Sequence, residues 1–460
     1  MEVRAELEPD PGRTPGRARL APDARAGPDD LLGLGAAAVS TRVATTSRAA
    51  ASSNGGVLAA RRRLGALRRR LDDAVRNDLG FPNSTDLDIT PLVDLLRRSA
   101  NNVGYPGRPT NGFRSHTLEE EFEAVQCVAG LLRAPTDDRT GLVTSGSTAA
   151  IRHALLHARD RFRKVVVYAS TAAHTCVRKV AHQLRIPFVA VPASPGGEMD
   201  YTELAAVVAR RRRGGVPVVV ATIGTTMFEA IDDVGRVHLA LDAASVPSEA
   251  RHVHADAALA GLALAGLPPA TRPGFDFADG ADSINISGHK FLGTPEPCGI
   301  LVIRRSACAD AVDAVTYTGS VDLTMDGSRS GHTPLMLWWA LQQFSPDVLH
   351  RRAEVSRANA RTAVDWLTTA GIPAGRHEHA FTVVLPRPPE PFLDTWPLAV
   401  EGDWAHIICM PGKALDDVHR FVTDYVAVMR PPQIPARPVP IPPAREPAPK
   451  RAELKDAIAC

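Results

Sequence analysis

From Thr140 onward the chain alternates short apolar runs with helical stripes, and no other feature constrains the fold as tightly. Val165-Val-Val-Tyr168, Phe188 to Val191, Pro217 to Ile223, the short segment before Asp256, Ser283 to Ile286 and Gly299 to Ile303 read as strands. Helical stretches ending near Phe162, Leu184, Arg213 and Ala244 fall between them. Repeated strand–helix alternation predicts an α/β fold, a mostly parallel sheet covered on both faces. Folds of this kind bind ligands outside the carboxyl ends of their strands.

The residues that carry chemistry gather at those ends. His174, Thr225, Thr226, Asp256 and Lys290 all lie at a predicted strand end or just beyond. A lysine after the alternating strand that sets Ile284 and Ile286 on one face is poorly suited to a core and well suited to a reaction. An acid at one strand end and a lysine at a later one suit a pyridoxal 5'-phosphate site. There the lysine carries the cofactor aldehyde and the acid faces the pyridine nitrogen. Thr140-Gly-Leu-Val-Thr-Ser-Gly-Ser-Thr-Ala-Ala150 is a small-residue turn into a helix N-terminus. Its free N–H groups, with the hydroxyls of Ser145, Ser147 and Thr148 around Gly146, suit a phosphate dianion. An ordinary N-cap fits that segment taken alone.

The remainder of the chain frames this block. Residues 1–58 lack a periodic apolar face and read as a disordered extension; 59–110 read as a helical segment with Leu64, Leu67 and Leu71 on one stripe. Ile89 to Leu96 is expected to start a helix behind Thr90-Pro91. A large cofactor-binding domain is expected over 111–335, beginning with a helix striped by Leu118, Phe122, Val125, Val128 and Leu132. A smaller α+β domain is expected over 336–430, with a proline-rich tail over 431–460. Lys plus Arg number 53 against 51 Asp plus Glu, a net charge of +2, which argues against a dedicated nucleic-acid or membrane-surface protein. The Arg61–Arg63 and Arg68–Arg70 runs read as a solvated helix face. The six cysteines form no CxxC pair and no zinc spacing, so no metal is expected and free thiols in a reducing, cytoplasmic setting are. No apolar run is long enough to span a membrane.

Several stretches together resemble the group II pyridoxal-phosphate-dependent amino-acid decarboxylases, in the branch of bacterial histidine and plant serine decarboxylases. They are His254-Ala-Asp-Ala-Ala-Leu259, Ser287-Gly-His-Lys-Phe-Leu-Gly293, Pro297-Cys-Gly-Ile300, Gly327-Ser-Arg-Ser-Gly-His-Thr-Pro-Leu-Met336, Trp396-Pro-Leu-Ala-Val-Glu-Gly-Asp403 and Ala405-His-Ile-Ile-Cys-Met-Pro411. The resemblance spans about Leu79 to Tyr425 and implies a type I aminotransferase-like fold and a homodimer with shared active sites. It implies that Lys290 holds the cofactor, Asp256 meets its ring nitrogen, His174 stacks on the ring, Thr225 and Ala258 line the pocket, and Ser287 and His289 lie near the phosphate. Asn102, Tyr105, Ser328 and Arg329 are expected at the substrate pocket or the subunit interface. The family's phosphate loop reads Thr-Asn-Gly-Gly-Thr-Glu-Gly-Asn; here it is Thr144-Ser-Gly-Ser-Thr-Ala-Ala-Ile151, with Ala149 and Ile151 replacing Glu and Asn.

The expected reaction is decarboxylation of an L-amino acid to its amine, with Gly331-His-Thr-Pro-Leu-Met336 favouring histidine. Serine or another small or branched amino acid is the first alternative. An aminotransferase or C–S lyase on the same fold is the second, and a catalytically inactive homologue acting as a partner the third.

Overall fold

A computed structural model describes residues 54–107, 112–211, 213–309, 314–315, 320–321, 324–429 and 438–441. The disordered extension expected over 1–58 lies outside these residues except for its last five, which are helical. The proline-rich tail, 431–460, lies outside them apart from 438–441. The chain divides into two compact units after Leu67, and residues 54–67 are the described part of the first.

Seven strands make the main sheet: β1 (Thr140–Thr144), β2 (Val165–Ser170), β3 (Phe188–Val191), β4 (Val216–Thr222), β5 (His252–Asp256), β6 (Ser283–Ser287) and β7 (Gly299–Ile303). Their order is β1-β7-β6-β5-β4-β2-β3. Pairs β2–β3, β2–β4, β4–β5 and β5–β6 are parallel, and β7 runs antiparallel between β6 and β1. The carboxyl ends of β1, β2, β4, β5 and β6 therefore share one edge. Helices cover both faces of the sheet, so its central strands are buried on both. The described helices of eight residues or more are α1 (Asn54–Asn77), α2 (Leu118–Leu131), α3 (Ser147–Phe162), α4 (Cys176–Gln183), α5 (Tyr201–Arg210), α6 (Val234–Ala243), α7 (His332–Gln343), α8 (Pro346–Thr369) and α9 (Leu415–Val428). A second, antiparallel sheet joins β8 (Thr382–Pro386), β9 (Ala399–Glu401) and β10 (Trp404–Ile408) in the order β8-β10-β9.

Some expectations are corrected. Ile89–Leu96 is not a helix but two isolated 3-10 turns, Thr90–Leu92 and Leu95–Arg97. The Asp88 carboxylate takes the Thr90 N–H at 2.8 Å, and of the six turn residues only Leu92 is buried, too little apolar contact to sustain a longer helix. On α2 the buried face runs through Leu118, Glu121, Ala124, Val125, Val128 and Ala129, and Phe122 is 41% exposed. Glu121 replaces it inside because its carboxylate accepts the Val143 N–H at 2.8 Å and pairs with the buried Arg329. The Leu64, Leu67 and Leu71 stripe of α1 is exposed.

Candidate active site

A cleft of about 720 Å³ opens at the edge where the strand carboxyl ends meet. The loop after β1 lines it with Ser145 to Ala149, β5 with Asp256 and Ala258, and β6 with Ser287, His289 and Lys290. Ala399, His406 and Ile408 from the second sheet, and Gly80 to Pro82 from the segment after α1, also line it.

Lys290 is placed by an unusual turn. β6 runs straight into a single π-helical turn, Gly288–Leu292, a geometry that recurs at functional sites. The turn is pinned at both ends, Gly288 N–H donating to Cys298 O at 3.1 Å and Thr294 N–H to Gly288 O at 3.2 Å. Burial pulls the Lys290 ammonium below its ordinary value, and the nearby Asp256 opposes that fall. That lowering favours the neutral amine, the form that attacks an aldehyde.

Asp256, at the last position of β5, is held from one side. Asn285, opposite it on β6, donates Nδ2–H to Asp256 Oδ1 at 2.8 Å. The second carboxylate oxygen has no hydrogen-bond partner among the described residues.

The loop between β1 and α3 forms a cradle. Gly146 adopts φ 151° and ψ 164°, a conformation that only glycine takes comfortably. A Cβ there would meet nothing within 4 Å, so the loop borders open space. Gly299 lets β7 pass beneath: a Cβ on it would stand 2.7 Å from the Gly146 carbonyl carbon. Ser147, the first residue of α3, and Ser287, the last of β6, bring their hydroxyls to 2.7 Å. The first N–H groups of α3 lack intrahelical partners and carry the positive end of the helix dipole. The replaced loop positions part company: Ala149 lines the cleft, whereas Ile151 is fully buried in an apolar cluster with Leu155 and Val167.

His174 follows β2 and is exposed on the cleft wall. Its Nδ1 accepts the Cys176 N–H at 3.2 Å, which leaves the proton of the neutral ring on Nε2. Burial lowers its pKa, with Asp256 opposing and Lys290 reinforcing, so the ring is held toward its neutral form. His289 also lines the cleft, its Nδ1 fixed by the Cys298 main chain, 3.1 Å from the carbonyl. Cys176 lines it too, and burial pushes that thiol up to about 11, which keeps it protonated.

Five expected site residues lie elsewhere. Thr225 turns its hydroxyl to the Ala230 N–H at 3.0 Å, and its neighbour Thr226 lines the cleft instead. Asn102 and Arg329 are buried around Glu121, with Asn102 Nδ2 donating to Glu121 Oε2 at 2.7 Å and Arg329 donating to Gly104 O at 2.8 Å. Tyr105 places its hydroxyl 3.1 Å from Thr140 Oγ1, and Ser328 accepts from Asn101 Nδ2 at 3.2 Å. Within this chain none of these four lines the cleft; Asn102 and Arg329 instead hold Glu121 of α2. Arg152, by contrast, lines it without having been singled out. Its Nε is buried with no partner among the described residues, and its nearest acid, Asp326, is 3.9 Å away. The helical spacing from Ala149 to Arg152 is the signal that would have found it.

A desolvated lysine, a carboxylate with one oxygen held and the other open, and an anion cradle at a helix N-terminus fit pyridoxal phosphate. The fold and cleft define a pyridoxal-phosphate enzyme of the type I aminotransferase-like class. Residues 116–317 match the pyridoxal-dependent decarboxylase conserved domain. The chain is 38% identical to a histidine decarboxylase of Pseudomonas entomophila over 335 residues, 73% of this chain and 82% of that one. It is 32% identical to serine decarboxylase 3 of rice over 365 residues, 79% of this chain and 81% of that one. L-methionine decarboxylase from Streptomyces sp. 590 shares the fold, with TM-score 0.73 and 22% identity over 82% of this chain and 95% of that one. The chain belongs to the group II pyridoxal-phosphate-dependent amino-acid decarboxylases, in the histidine and serine decarboxylase branch.

Proposed function

We propose that this enzyme converts L-histidine to histamine and CO2, with Lys290 and Asp256 at the centre of the cleft as the residues that carry the reaction. The observation behind the site assignment is that one cleft is lined by a desolvated lysine, an acid and an anion cradle, each at a strand carboxyl end. The support for histidine is similarity: histidine decarboxylases of Pseudomonas entomophila, Morganella morganii and Klebsiella aerogenes are 37–38% identical, against 32% for the rice serine enzyme.

The chemistry contributed by bound pyridoxal phosphate is an electron sink for the pair released from the Cα–carboxylate bond. Lys290 Nζ, its neutral form favoured by burial, would hold the cofactor at its aldehyde carbon and yield that position to the substrate amine. Asp256 Oδ2, the open carboxylate oxygen, would meet the ring nitrogen and favour its protonated form. Ser145, Ser147, Thr148 and Ser287, with the N–H groups around Gly146, hold the phosphate, and Arg152 adds a cation at the same end. His174 would pack against the ring, with Nε2–H open toward the substrate carboxylate. His289 and Ala258 close the walls. Phe81, Pro82 and Ile408 exclude water from the reacting carbon.

The same reading takes 111–335 as the cofactor domain and 336–430 as the smaller domain, in a cytoplasmic homodimer. No described helix is long and apolar enough to cross a membrane. Purified enzyme given a panel of amino acids tests the substrate: histamine with stoichiometric CO2 supports it, and ethanolamine from serine replaces it with the alternative. Light scattering reads the assembly: a mass near twice 49.1 kDa supports the homodimer.

A further inference from the structure

The buried face between β5 and β6 carries a row of polar side chains that leads to Asp256. His252, His254 and Asp256 alternate on β5, and Ser283 and Asn285 stand opposite on β6, with His254 facing Ser283 and Asp256 facing Asn285. His252, His254, Ser283 and Asn285 are fully buried. Four contacts join them: His252 Nε2 to Ser283 Oγ at 2.9 Å, Ser283 Oγ to His254 Nδ1 at 2.8 Å, His254 Nε2 to Asn285 Oδ1 at 2.7 Å, and Asn285 Nδ2 to Asp256 Oδ1 at 2.8 Å.

Chemistry fixes the direction of the whole row. An ionised carboxylate only accepts, so Asn285 must present its NH2 to Asp256 and its carbonyl to His254. His254 must then carry its proton on Nε2, and its bare Nδ1 accepts the Ser283 hydroxyl. Ser283 has spent its only proton, so it accepts from His252 Nε2–H. Burial lowers both histidines, His254 to about 4, which agrees with neutral rings. The chain of donors ends at His252 Nδ1, an acceptor buried without a partner among the described residues. A row this deep that leaves one acceptor unsatisfied carries a cost that the core has not removed by apolar replacement.

We propose that His254, acting through Asn285, is a positioning residue: it fixes Asp256 Oδ1 so that Oδ2 is the oxygen that meets the pyridine nitrogen. The inference rests on the assignment of Asp256 to that nitrogen. Without His254, the Asn285 amide is free to rotate and present its carbonyl to Asp256, and the carboxylate loses its orientation.

The test is the holoenzyme reconstituted with ring-15N pyridoxal phosphate, read by the nitrogen chemical shift and by the cofactor dissociation constant. His254→Phe should move the resonance toward the unprotonated position and weaken cofactor binding by about 10-fold or more, the scale of one hydrogen bond to a charged group. His254→Gln, whose amide N–H reaches the Asn285 carbonyl, should restore both in large part. Ser283→Ala, a smaller cut that frees the His254 tautomer, should move both in the same direction and serves if His254→Phe does not fold. A resonance and affinity like wild type in His254→Phe, or in Ser283→Ala where only that variant folds, overturn the proposal. Asp256→Asn separates the two levels: if it too leaves the resonance unmoved, the assignment of Asp256 fails and this inference with it.

Discussion

Gly146→Ala isolates the backbone of the phosphate cradle from its packing. At φ 151° and ψ 164° an L residue is strained, yet its Cβ would find nothing within 4 Å. The substitution therefore adds no clash, and its cost is conformational, about 1–3 kcal/mol for a residue held in this region. The free loop can shed that strain by turning its peptide; the bound loop cannot, because its N–H groups must converge on the phosphate. The cost then falls on binding, and about 1–3 kcal/mol corresponds to roughly 5- to 150-fold weaker cofactor affinity. Titrating the apoenzyme with pyridoxal phosphate, followed by absorbance, measures this directly. A companion titration with unphosphorylated pyridoxal should change far less. Gly299→Ala is the steric contrast, since its Cβ strikes backbone at 2.7 Å and should lower folding stability itself. A Gly146→Ala affinity within about 2-fold of wild type, on a scale where 1.4 kcal/mol is tenfold, would refute the account of the cradle.

Further outcomes follow from the same geometry. Arg152→Ala should weaken pyridoxal phosphate about 10-fold or more while leaving pyridoxal nearly unaffected, as expected for one charge-assisted hydrogen bond to phosphate; equal losses for both ligands would contradict it. Burial raises buried Glu229 from 4.5 to about 7, so the folded chain binds an extra proton between those values. Its contribution is fully present below about 4.5 and lost as pH rises through about 7. Glu229→Gln, which keeps an acceptor for the Thr382 N–H and hydroxyl, should therefore remove up to about 3 kcal/mol of stability loss between pH 5 and 8 in denaturant titrations. An unchanged pH slope would refute that. Because burial lowers His174, the cleft should keep its neutral imidazole below the ordinary histidine value, and its NMR titration midpoint should fall under 6.5.

The sheet was legible because its strands are short apolar runs between turns, and periodicity is a local property. Phe188–Val191 and Gly299–Ile303 match their expected bounds, the other expected strands shift by a residue or two at their ends, and β1, Thr140–Thr144, stands where the sequence reads as part of a small-residue turn. Lys290, Asp256, His174 and the Ser145–Thr148 loop were legible for the same reason: each follows a strand, and strand ends share an edge. What failed depends on contacts distant in sequence. The Phe122 stripe position lost to Glu121 because Arg329, more than two hundred residues away, pairs with that carboxylate. Within this chain Asn102 and Arg329, on two short paired strands, and Tyr105 beside them spend their polar groups on contacts distant in sequence, which no local pattern distinguishes from a pocket. Choosing Thr226 over Thr225 needed the direction of a side chain. The start of α8 is legible too, since Ser345-Pro346 is a cap and first-turn pair and Ser345 Oγ accepts the Val348 N–H. His406 and Pro82 reach the cleft only through tertiary packing.

The central claim is that Lys290 in this cleft carries pyridoxal phosphate for amino-acid decarboxylation. The most direct measurement is the visible absorption spectrum of the protein with added pyridoxal phosphate, beside Lys290→Ala, with CO2 release from histidine followed in the same samples. The account predicts a lysine-linked cofactor band and histidine-dependent CO2 in the wild type, and loss of both in the variant. A wild-type protein with neither band nor CO2 from any amino acid, or a variant that keeps both, would contradict it.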